Sequence, residues 1–155
     1  MSDYYLDASA LVKRYVNETG SAWVRRLTDP RHGDTVLLAE ITLAEVAAAL
    51  AAKQRTPGGL TSAQRDRALS LFLQDCDTRF LLLPVDRPVF DRAIELTQNH
   101  RLRGYDAVQL ASALVAVDVM KASGLPRLTF VAGDGDLLTA AQAEQLPVEN
   151  PLDHA

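Results

Sequence analysis

The chain has 155 residues, of which 48% are hydrophobic and 23% charged, and its formal net charge at pH 7 is −4. This composition is typical of a globular protein and excludes the disordered, collagen-like and coiled-coil classes, so we expect residues 1–155 to form a single domain. The negative charge argues against a broad positive surface for nucleic acid, although it does not exclude a local basic rim.

Three further features narrow the class of protein. No stretch reaches the roughly eighteen uncharged apolar residues that a membrane span requires, and the N-terminus lacks a basic segment followed by an apolar one. We therefore expect a cytoplasmic protein that does not bind membranes. Cys76 is the only cysteine, so no intramolecular disulfide forms, and no Cys/His cluster offers a zinc site. No Ser–His or Cys–His pair stands at motif spacing, which argues weakly against nucleophilic catalysis.

Apolar runs alternate with helical patterns along the whole chain. Short apolar runs between turn residues predict four strands and a short edge strand, at Tyr4–Leu6, Thr35–Ala39, Phe80–Val85, Leu128–Ala132 and Pro147–Val148. Helical patterns lie between them, at residues 10–16, 21–27, 42–55, 61–77, 86–99, 105–123 and 136–145. Continuously apolar strands that alternate with helices predict an α/β fold, a three-layer α/β/α sandwich with a four- to five-stranded parallel sheet.

The first predicted strand delivers two polar residues, Asp7 and Ser9, to its carboxyl end. In an open α/β sheet, ligands bind just outside the carboxyl ends of the strands, which favours a functional role for both residues. Asp and Ser are also preferred N-caps of helices, because their side-chain oxygens accept the free N–H groups of the first turn. By itself, Asp7 therefore fits a cap as well as it fits a catalytic acid.

Two more acids stand in apolar helices. Glu45 interrupts an Ala-rich stretch, where an ionised carboxylate requires a cation, a metal or hydrogen bonds. The alternative is a capping box, in which Glu45 reaches back to the N–H of Thr42. Asp106 opens the most apolar helix, where the alternative is an interaction with the helix dipole worth about 0.3–1 kcal/mol. Gln109 lies one turn later on the same face, so we expect it to support a site there.

The last pair of acids follows the fourth predicted strand, in the segment Gly133-Asp134-Gly135-Asp136. Two acids that are two residues apart cannot both cap the same helix. We assign the capping role to Asp136, which leaves Asp134 free for chemistry.

A parallel sheet brings four of these acids to one edge: Asp7, Glu45, Asp106 and Asp134. Crowded carboxylates repel one another unless a cation neutralises them, and ligand sets made only of oxygen suit hard cations such as Mg²⁺ or Mn²⁺. Mg²⁺ is typically bound by a few carboxylates together with phosphate oxygens of the substrate. The sequence therefore predicts a metal site for phosphodiester or phosphoryl chemistry.

Four segments, spread over nearly the whole chain, resemble the PIN domain, and within it the VapC-type toxins of bacterial and archaeal toxin–antitoxin pairs. The segments are Tyr5-Leu6-Asp7-Ala8-Ser9-Ala10-Leu11-Val12-Lys13, Thr42-Leu43-Ala44-Glu45-Val46, Tyr105-Asp106-Ala107-Val108-Gln109-Leu110-Ala111 and Phe130-Val131-Ala132-Gly133-Asp134-Gly135-Asp136-Leu137-Leu138. The resemblance implies a Mg²⁺- or Mn²⁺-dependent endoribonuclease that is dimeric and is held inactive by a cognate antitoxin.

The resemblance also assigns roles to individual residues. By position, the family's acidic metal-binding quartet corresponds to Asp7, Glu45, Asp106 and Asp134. Ser9 matches the family's small hydroxyl near the metal and would orient a water. Ala132 departs from the pattern, because many relatives carry Thr or Ser two residues before the last acid. Four basic residues would steer the RNA backbone: Lys13, Arg14, Arg101 and Arg103.

Three other functions compete with a toxin nuclease. A stand-alone PIN-type RNA-processing nuclease has the same site. A haloacid-dehalogenase-like phosphatase also begins with an apolar strand that ends in Asp, but its chemistry requires a second Asp where this chain has Ser9. A non-catalytic binding domain would use its acids only as helix caps, and it would bind little Mg²⁺.

Overall fold

A computed structural model describes all 155 residues of the chain. Strands and helices occur in the order β1 Asp3–Leu6, α1 Ala8–Leu11, α2 Ser21–Leu27, β2 Thr35–Ala39, α3 Ile41–Arg55, α4 Ser62–Thr78, β3 Leu81–Leu83, α5 Arg87–Asn99, α6 Gly104–Ala122, β4 Thr129–Val131, α7 Gly135–Ala143 and β5 Val148–Glu149. Short 3₁₀ turns cover Val12–Arg14, Pro30–His32 and Pro151–Asp153. None of the helices is long and apolar enough to cross a membrane.

The five strands form one parallel sheet in the order β3-β2-β1-β4-β5. The first strand therefore lies at the centre, and its Tyr5 pairs with Leu37 of β2 on one side and Phe130 of β4 on the other. This arrangement confirms the predicted fold class and includes the edge strand predicted near Val148. It also places Asp7, the residue that follows β1, at the middle of the carboxyl edge.

Helices cover both faces of the sheet, as a parallel sheet of apolar strands requires. Successive side chains of β1 point to opposite faces, so Tyr5 and Leu6, both fully buried, enter different cores. The Tyr5 side belongs to a core of 21 buried residues shared with α5, α6 and α7. The Leu6 side belongs to a core of 17 buried residues shared with α1, α2, α3 and α4. The result is the predicted three-layer sandwich.

The ends of two helices show how well local patterns locate them. A capping box begins α4 where a helix is predicted from residue 61: the Thr61 hydroxyl accepts from the Gln64 N–H at 3.1 Å, and the Gln64 side chain accepts from the Thr61 N–H at 2.8 Å. Helix α1 begins earlier than predicted, at Ala8, and continues from Val12 as a 3₁₀ turn. This early start follows from the cap that Asp7 provides.

Candidate active site

Asp7 lies between the central strand and α1, and only 5% of it is exposed. Its Oδ1 accepts two hydrogen bonds, one from the Ala10 N–H at 3.0 Å and one from the Ser9 hydroxyl at 2.7 Å. Oδ2 makes no hydrogen bond within the protein. The two predicted roles of Asp7 are therefore compatible, because one oxygen caps the helix while the other is free to bind a ligand.

Ser9 connects the turns that follow two neighbouring strands. Its hydroxyl donates to Asp7 and accepts from the Gly133 N–H at 2.9 Å, in the loop after β4. The only proton of the hydroxyl is thus committed to the Asp7 carboxylate, and towards water Ser9 acts only as an acceptor. Ser9 fixes the orientation of Asp7 and ties the β1 and β4 ends of the edge together.

Glu45 lies in the second turn of α3 and is half-buried. The capping-box alternative for this residue is wrong, because α3 begins at Ile41 and Thr42 is already inside the helix. The Thr42 hydroxyl instead accepts from Gln109 Nε2 at 2.9 Å, and Glu45 Oε1 accepts from the same nitrogen at 2.9 Å. A side chain of α6, and not the start of its own helix, therefore holds Glu45.

Asp106 lies in the first turn of α6, half-buried, and its carboxylate makes no hydrogen bond within the protein. The helix begins at Gly104, and Arg103, the residue before it, is exposed. The helix dipole favours an acid at this position, as predicted. Both carboxylate oxygens of Asp106 remain available to a ligand.

The sequence predicted the wrong N-cap for the helix after β4. Helix α7 begins at Gly135, so the N-cap is Asp134, whose Oδ1 accepts from the Leu137 N–H at 3.0 Å. Asp136 lies in the first turn of the helix and is exposed. The predicted N-cap, Asp136, therefore lies two residues after the actual one. Asp134 keeps one oxygen outside the cap.

The charges of these acids act on one another. Burial raises the pKa of Asp7 to about 7, although the hydrogen bonds from Ser9 and Ala10 favour the ionised form. The nearby charges of Glu45 and Asp106 also contribute to this rise. Without a cation, Asp7 is therefore mostly protonated below neutral pH.

The same effects extend outwards from Asp7. Burial raises the pKa of Glu45, the hydrogen bond from Gln109 opposes this shift, and the charge of Asp106 adds to it. Burial also raises the pKa of Asp106, as does the charge of Asp134, whereas Arg103 lowers it. Asp106 therefore interacts electrostatically with Asp7 and Glu45 as well as with Asp134. All four predicted acids lie close enough to form one electrostatic cluster, with Asp134 at its exposed margin.

The chemistry of this cluster fits a hard cation. Its donors are all oxygens, and several of them make no hydrogen bond within the protein. No three His, Cys, Asp or Glu side chains already surround a single point closely enough to form a complete metal cage. Mg²⁺ does not require one, because it usually keeps several waters and binds few carboxylates together with phosphate oxygens.

The basic residues near the site fall into two groups. Lys13 and Arg14 form ion pairs within the fold, with Glu18 and Asp75 respectively, each at 3.0 Å, so they are poorly placed to steer RNA. Arg101 and Arg103 are exposed, and neither forms an ion pair. Both arginines precede α6, and the charge of Arg103 opposes the rise in the pKa of Asp106.

Next to Asp106 lies an apolar groove of about 500 Å³, which we call the α5–α6 groove. Phe90 and Ile94 of α5 line it together with Tyr105 of α6, and these side chains are 46%, 59% and 69% exposed. Apolar side chains exposed together in this way often mark an interaction site. The groove is not among the features predicted from the sequence. The spacing of Phe90 and Ile94, four residues apart, does indicate that both lie on the same face of one helix.

Three comparisons with known proteins agree with this arrangement. A family profile described as "PIN domain" matches residues 4–137. A protein named ribonuclease VapC45, from Mycobacterium tuberculosis, is 37% identical over 143 residues, which are 90% of this chain and 89% of that protein.

Two solved structures share the fold. One is FitAB bound to an IR36 DNA fragment, with 21% identity, a TM-score of 0.64 and coverage of 96% of this chain and 95% of the other. The second is a toxin–antitoxin complex from Klebsiella pneumoniae, with 16% identity, a TM-score of 0.62 and coverage of 96% of this chain and 97% of the other. At these identities the two structures support the fold alone.

Proposed function

Because the chain belongs to the PIN-domain family, we propose that it is a Mg²⁺- or Mn²⁺-dependent endoribonuclease that acts as the toxin of a toxin–antitoxin pair. The observation that carries the proposal is the buried carboxylate of Asp7 at the centre of the sheet edge. Two hydrogen bonds fix one of its oxygens, the other is free, and burial, together with the charges of neighbouring acids, raises its pKa to about 7. A bound cation removes this electrostatic cost, and carboxylates used only as caps do not require one.

Within this proposal the acids have distinct positions around the metal. Asp7, Asp106 and Glu45 would bind it directly or through water, Glu45 with the oxygen that Gln109 leaves free. Asp134 contributes from the margin, with the oxygen that does not cap α7. Ser9 holds the Asp7 carboxylate in place and offers a lone pair to a water in the site.

The reaction we propose is the in-line hydrolysis of an RNA phosphodiester bond. A bound Mg²⁺ or Mn²⁺ supplies a water of lowered pKa and offsets the charge that develops on the phosphate and the leaving oxygen. Arg101 and Arg103 bind the RNA backbone beside Asp106, and this contact positions the scissile phosphate over the acids. Ser9, anchored to the β4 loop, keeps the acids of two strands in register.

RNA cleavage with Mg²⁺ and Mn²⁺ tests this proposal in the antitoxin-free protein. We expect the wild type to cut RNA, and Asp7→Asn to lose at least about a hundredfold in rate, the order of loss seen when an essential electrostatic group is removed. Asn keeps an oxygen for the Ala10 and Ser9 hydrogen bonds, so the local structure is retained.

The matched control is Asp118→Asn, an exposed acid on the same helix as Asp106 but about 18 Å further along it. This variant should cleave at the wild-type rate. The proposal is wrong if purified protein cuts no RNA with either metal, or if Asp7→Asn cuts as fast as Asp118→Asn.

The proposed regulatory partner is an antitoxin whose apolar segment occupies the α5–α6 groove. A segment seated there lies against Tyr105, next to Asp106, and would cover the carboxylates. Ile94→Glu should weaken binding of the antitoxin encoded beside this gene. The control is Leu73→Glu, a similarly exposed apolar side chain on α4, in the opposite helical layer. Equal binding by both variants would place the antitoxin elsewhere.

Three remaining parts of the proposal concern the whole molecule: a single domain over residues 1–155, a homodimer and a cytoplasmic location. The 21-residue and 17-residue cores on the two faces of one sheet support a single cooperative unit. Sedimentation velocity tests the homodimer, and a sedimentation coefficient of a monomer at all concentrations would contradict it.

A further inference from the structure

Gln109 is a polar side chain that the fold buries almost completely, with 1% of it exposed. It lies on α6, three residues after Asp106 and therefore on the same face of the helix. Burial of an amide is costly unless its donors and acceptor are all satisfied. In this protein they are satisfied by residues of two other elements, the central strand and α3.

The hydrogen bonds of Gln109 join the central strand, α3 and α6. Its Oε1 accepts from the Tyr5 hydroxyl at 2.7 Å. Its Nε2 donates to the Thr42 hydroxyl at 2.9 Å and to Glu45 Oε1 at 2.9 Å. A carboxylate only accepts, so the amide nitrogen must face Glu45 and the amide oxygen must face Tyr5.

This orientation has a direct effect on Glu45. A glutamate side chain has several rotatable bonds, and holding it in one rotamer costs conformational entropy. The hydrogen bond to an ionised carboxylate is stronger than one between neutral groups, so Gln109 holds Oε1 firmly and leaves Oε2 for a ligand. The position of the Tyr5 ring is fixed in turn, because it stacks on the Phe130 ring with the centroids 5.4 Å apart.

We infer that Gln109 is a positioning residue for the metal: through its amide it presents Glu45 in the rotamer that binds the cation. This inference rests on the proposed function, since it assumes that Glu45 is a metal ligand. Partners of this kind, behind a metal ligand, typically contribute 10- to 100-fold in metal affinity. A purely structural amide, which only satisfies buried polar groups, would contribute to stability and leave the affinity unchanged.

Mn²⁺ binding, measured by calorimetry on the full chain, separates these two roles. Gln109→Met keeps a long unbranched side chain and removes all three hydrogen bonds. We expect Mn²⁺ affinity to fall by about 10- to 100-fold. The matched control is Ser21→Ala, which removes another buried polar side chain, one bonded only to the Val16 carbonyl and the Glu18 N–H and remote from Gln109. Both variants should unfold at lower temperature, but Ser21→Ala should bind Mn²⁺ like the wild type.

A double variant shows whether Gln109 acts through Glu45. In a Glu45→Gln background, Gln109→Met should cause no further loss of Mn²⁺ affinity, because the ligand that it positions is already gone. A further loss of the same size would overturn the inference. So would an affinity of Gln109→Met equal to that of the wild type.

Two further variants keep the test decisive. If Gln109→Met does not fold, Tyr5→Phe takes its place: it keeps the ring stack on Phe130 and removes only the donor to Gln109. We expect a severalfold loss of Mn²⁺ affinity, and an unchanged affinity would overturn the inference.

Asp7→Asn tests the proposed function separately. If it binds Mn²⁺ as well as the wild type, the metal site itself is wrong, whereas loss of binding in Asp7→Asn alone rejects only the role of Gln109.

Discussion

Replacing Asp7 by Asn should stabilise the metal-free protein at neutral pH, although it removes the central acid of the site. Asp7 is buried, and burial is the main reason that its pKa rises from the ordinary 3.8 to about 7. Asn has the same shape and still accepts the hydrogen bonds from Ser9 and Ala10 with one oxygen. The substitution therefore removes a buried charge and little else.

The size of the effect follows from the pKa. One pKa unit corresponds to about 1.4 kcal/mol, so a pKa raised from 3.8 to about 7 penalises the ionised carboxyl by about 4 kcal/mol in the native state. Below pH 3.8 the carboxyl is neutral in both the native and the unfolded states, and the penalty is absent. As pH rises towards 7, the native state holds a proton that the unfolded state has lost, so the free energy of unfolding falls. Above pH 7 the full penalty applies.

Urea unfolding in the presence of a chelator measures this difference, with fluorescence of Trp23, the only tryptophan, as the signal. Asp7→Asn and wild type should be equally stable near pH 3, and the variant should be more stable by about 4 kcal/mol near pH 8. Asp118→Asn, an exposed control, should follow the wild type at every pH. Saturating Mn²⁺ should then stabilise the wild type and leave Asp7→Asn unchanged, because only the wild type keeps the ligand.

The pH dependence of stability can also contradict the predicted penalty on the ionised Asp7 carboxylate. If wild type and Asp7→Asn show the same pH dependence of stability without metal, then burial does not penalise the Asp7 carboxylate. In that case the cluster of acids at the edge of the sheet would not require a cation.

Three further substitutions test other parts of the structure. Arg103→Ala should raise the KM for RNA and reduce the slope of log affinity against log salt by about 1. Lys121→Ala, at the far end of α6, should change neither quantity. Equal slopes for the two variants would show that Arg103 does not contact the RNA backbone. Asp75→Asn should lower the free energy of unfolding by about 3 kcal/mol in urea, because two arginines and a tyrosine hydroxyl share that carboxylate, and an unchanged midpoint would contradict this. Thr61→Ala should cost about 1 kcal/mol through loss of the α4 capping box, with Ser62→Ala as a control of smaller effect.

The sequence predicted the sheet and the acids because both leave local signals. Continuously apolar strands, such as Thr35–Ala39, imply helices on both faces, and an acid after such a strand lies at the carboxyl edge. An acid inside an apolar helix, such as Glu45, is conspicuous for the same reason. These signals sufficed to place Asp7, Glu45, Asp106 and Asp134 at one edge.

What the sequence missed depends on contacts between distant segments or on the exact ends of helices. Glu45 is held by Gln109, 64 residues away, and Arg14 is paired with Asp75, 61 residues away, and no local pattern reveals either partner. The choice between Asp134 and Asp136 as the N-cap of α7 depended on a difference of two residues, which is within the usual uncertainty of helix boundaries.

The most direct test of the metal site is a crystal grown or soaked with Mn²⁺ and measured for anomalous scattering. We expect a peak at the carboxyl edge of the sheet that is coordinated by the free oxygens of Asp7 and Asp106, with Glu45 beside it. In crystals of Asp7→Asn grown in the same way, this peak should disappear. A peak bound elsewhere, or one that persists in Asp7→Asn, would contradict the central claim that these acids form a metal-dependent nuclease site.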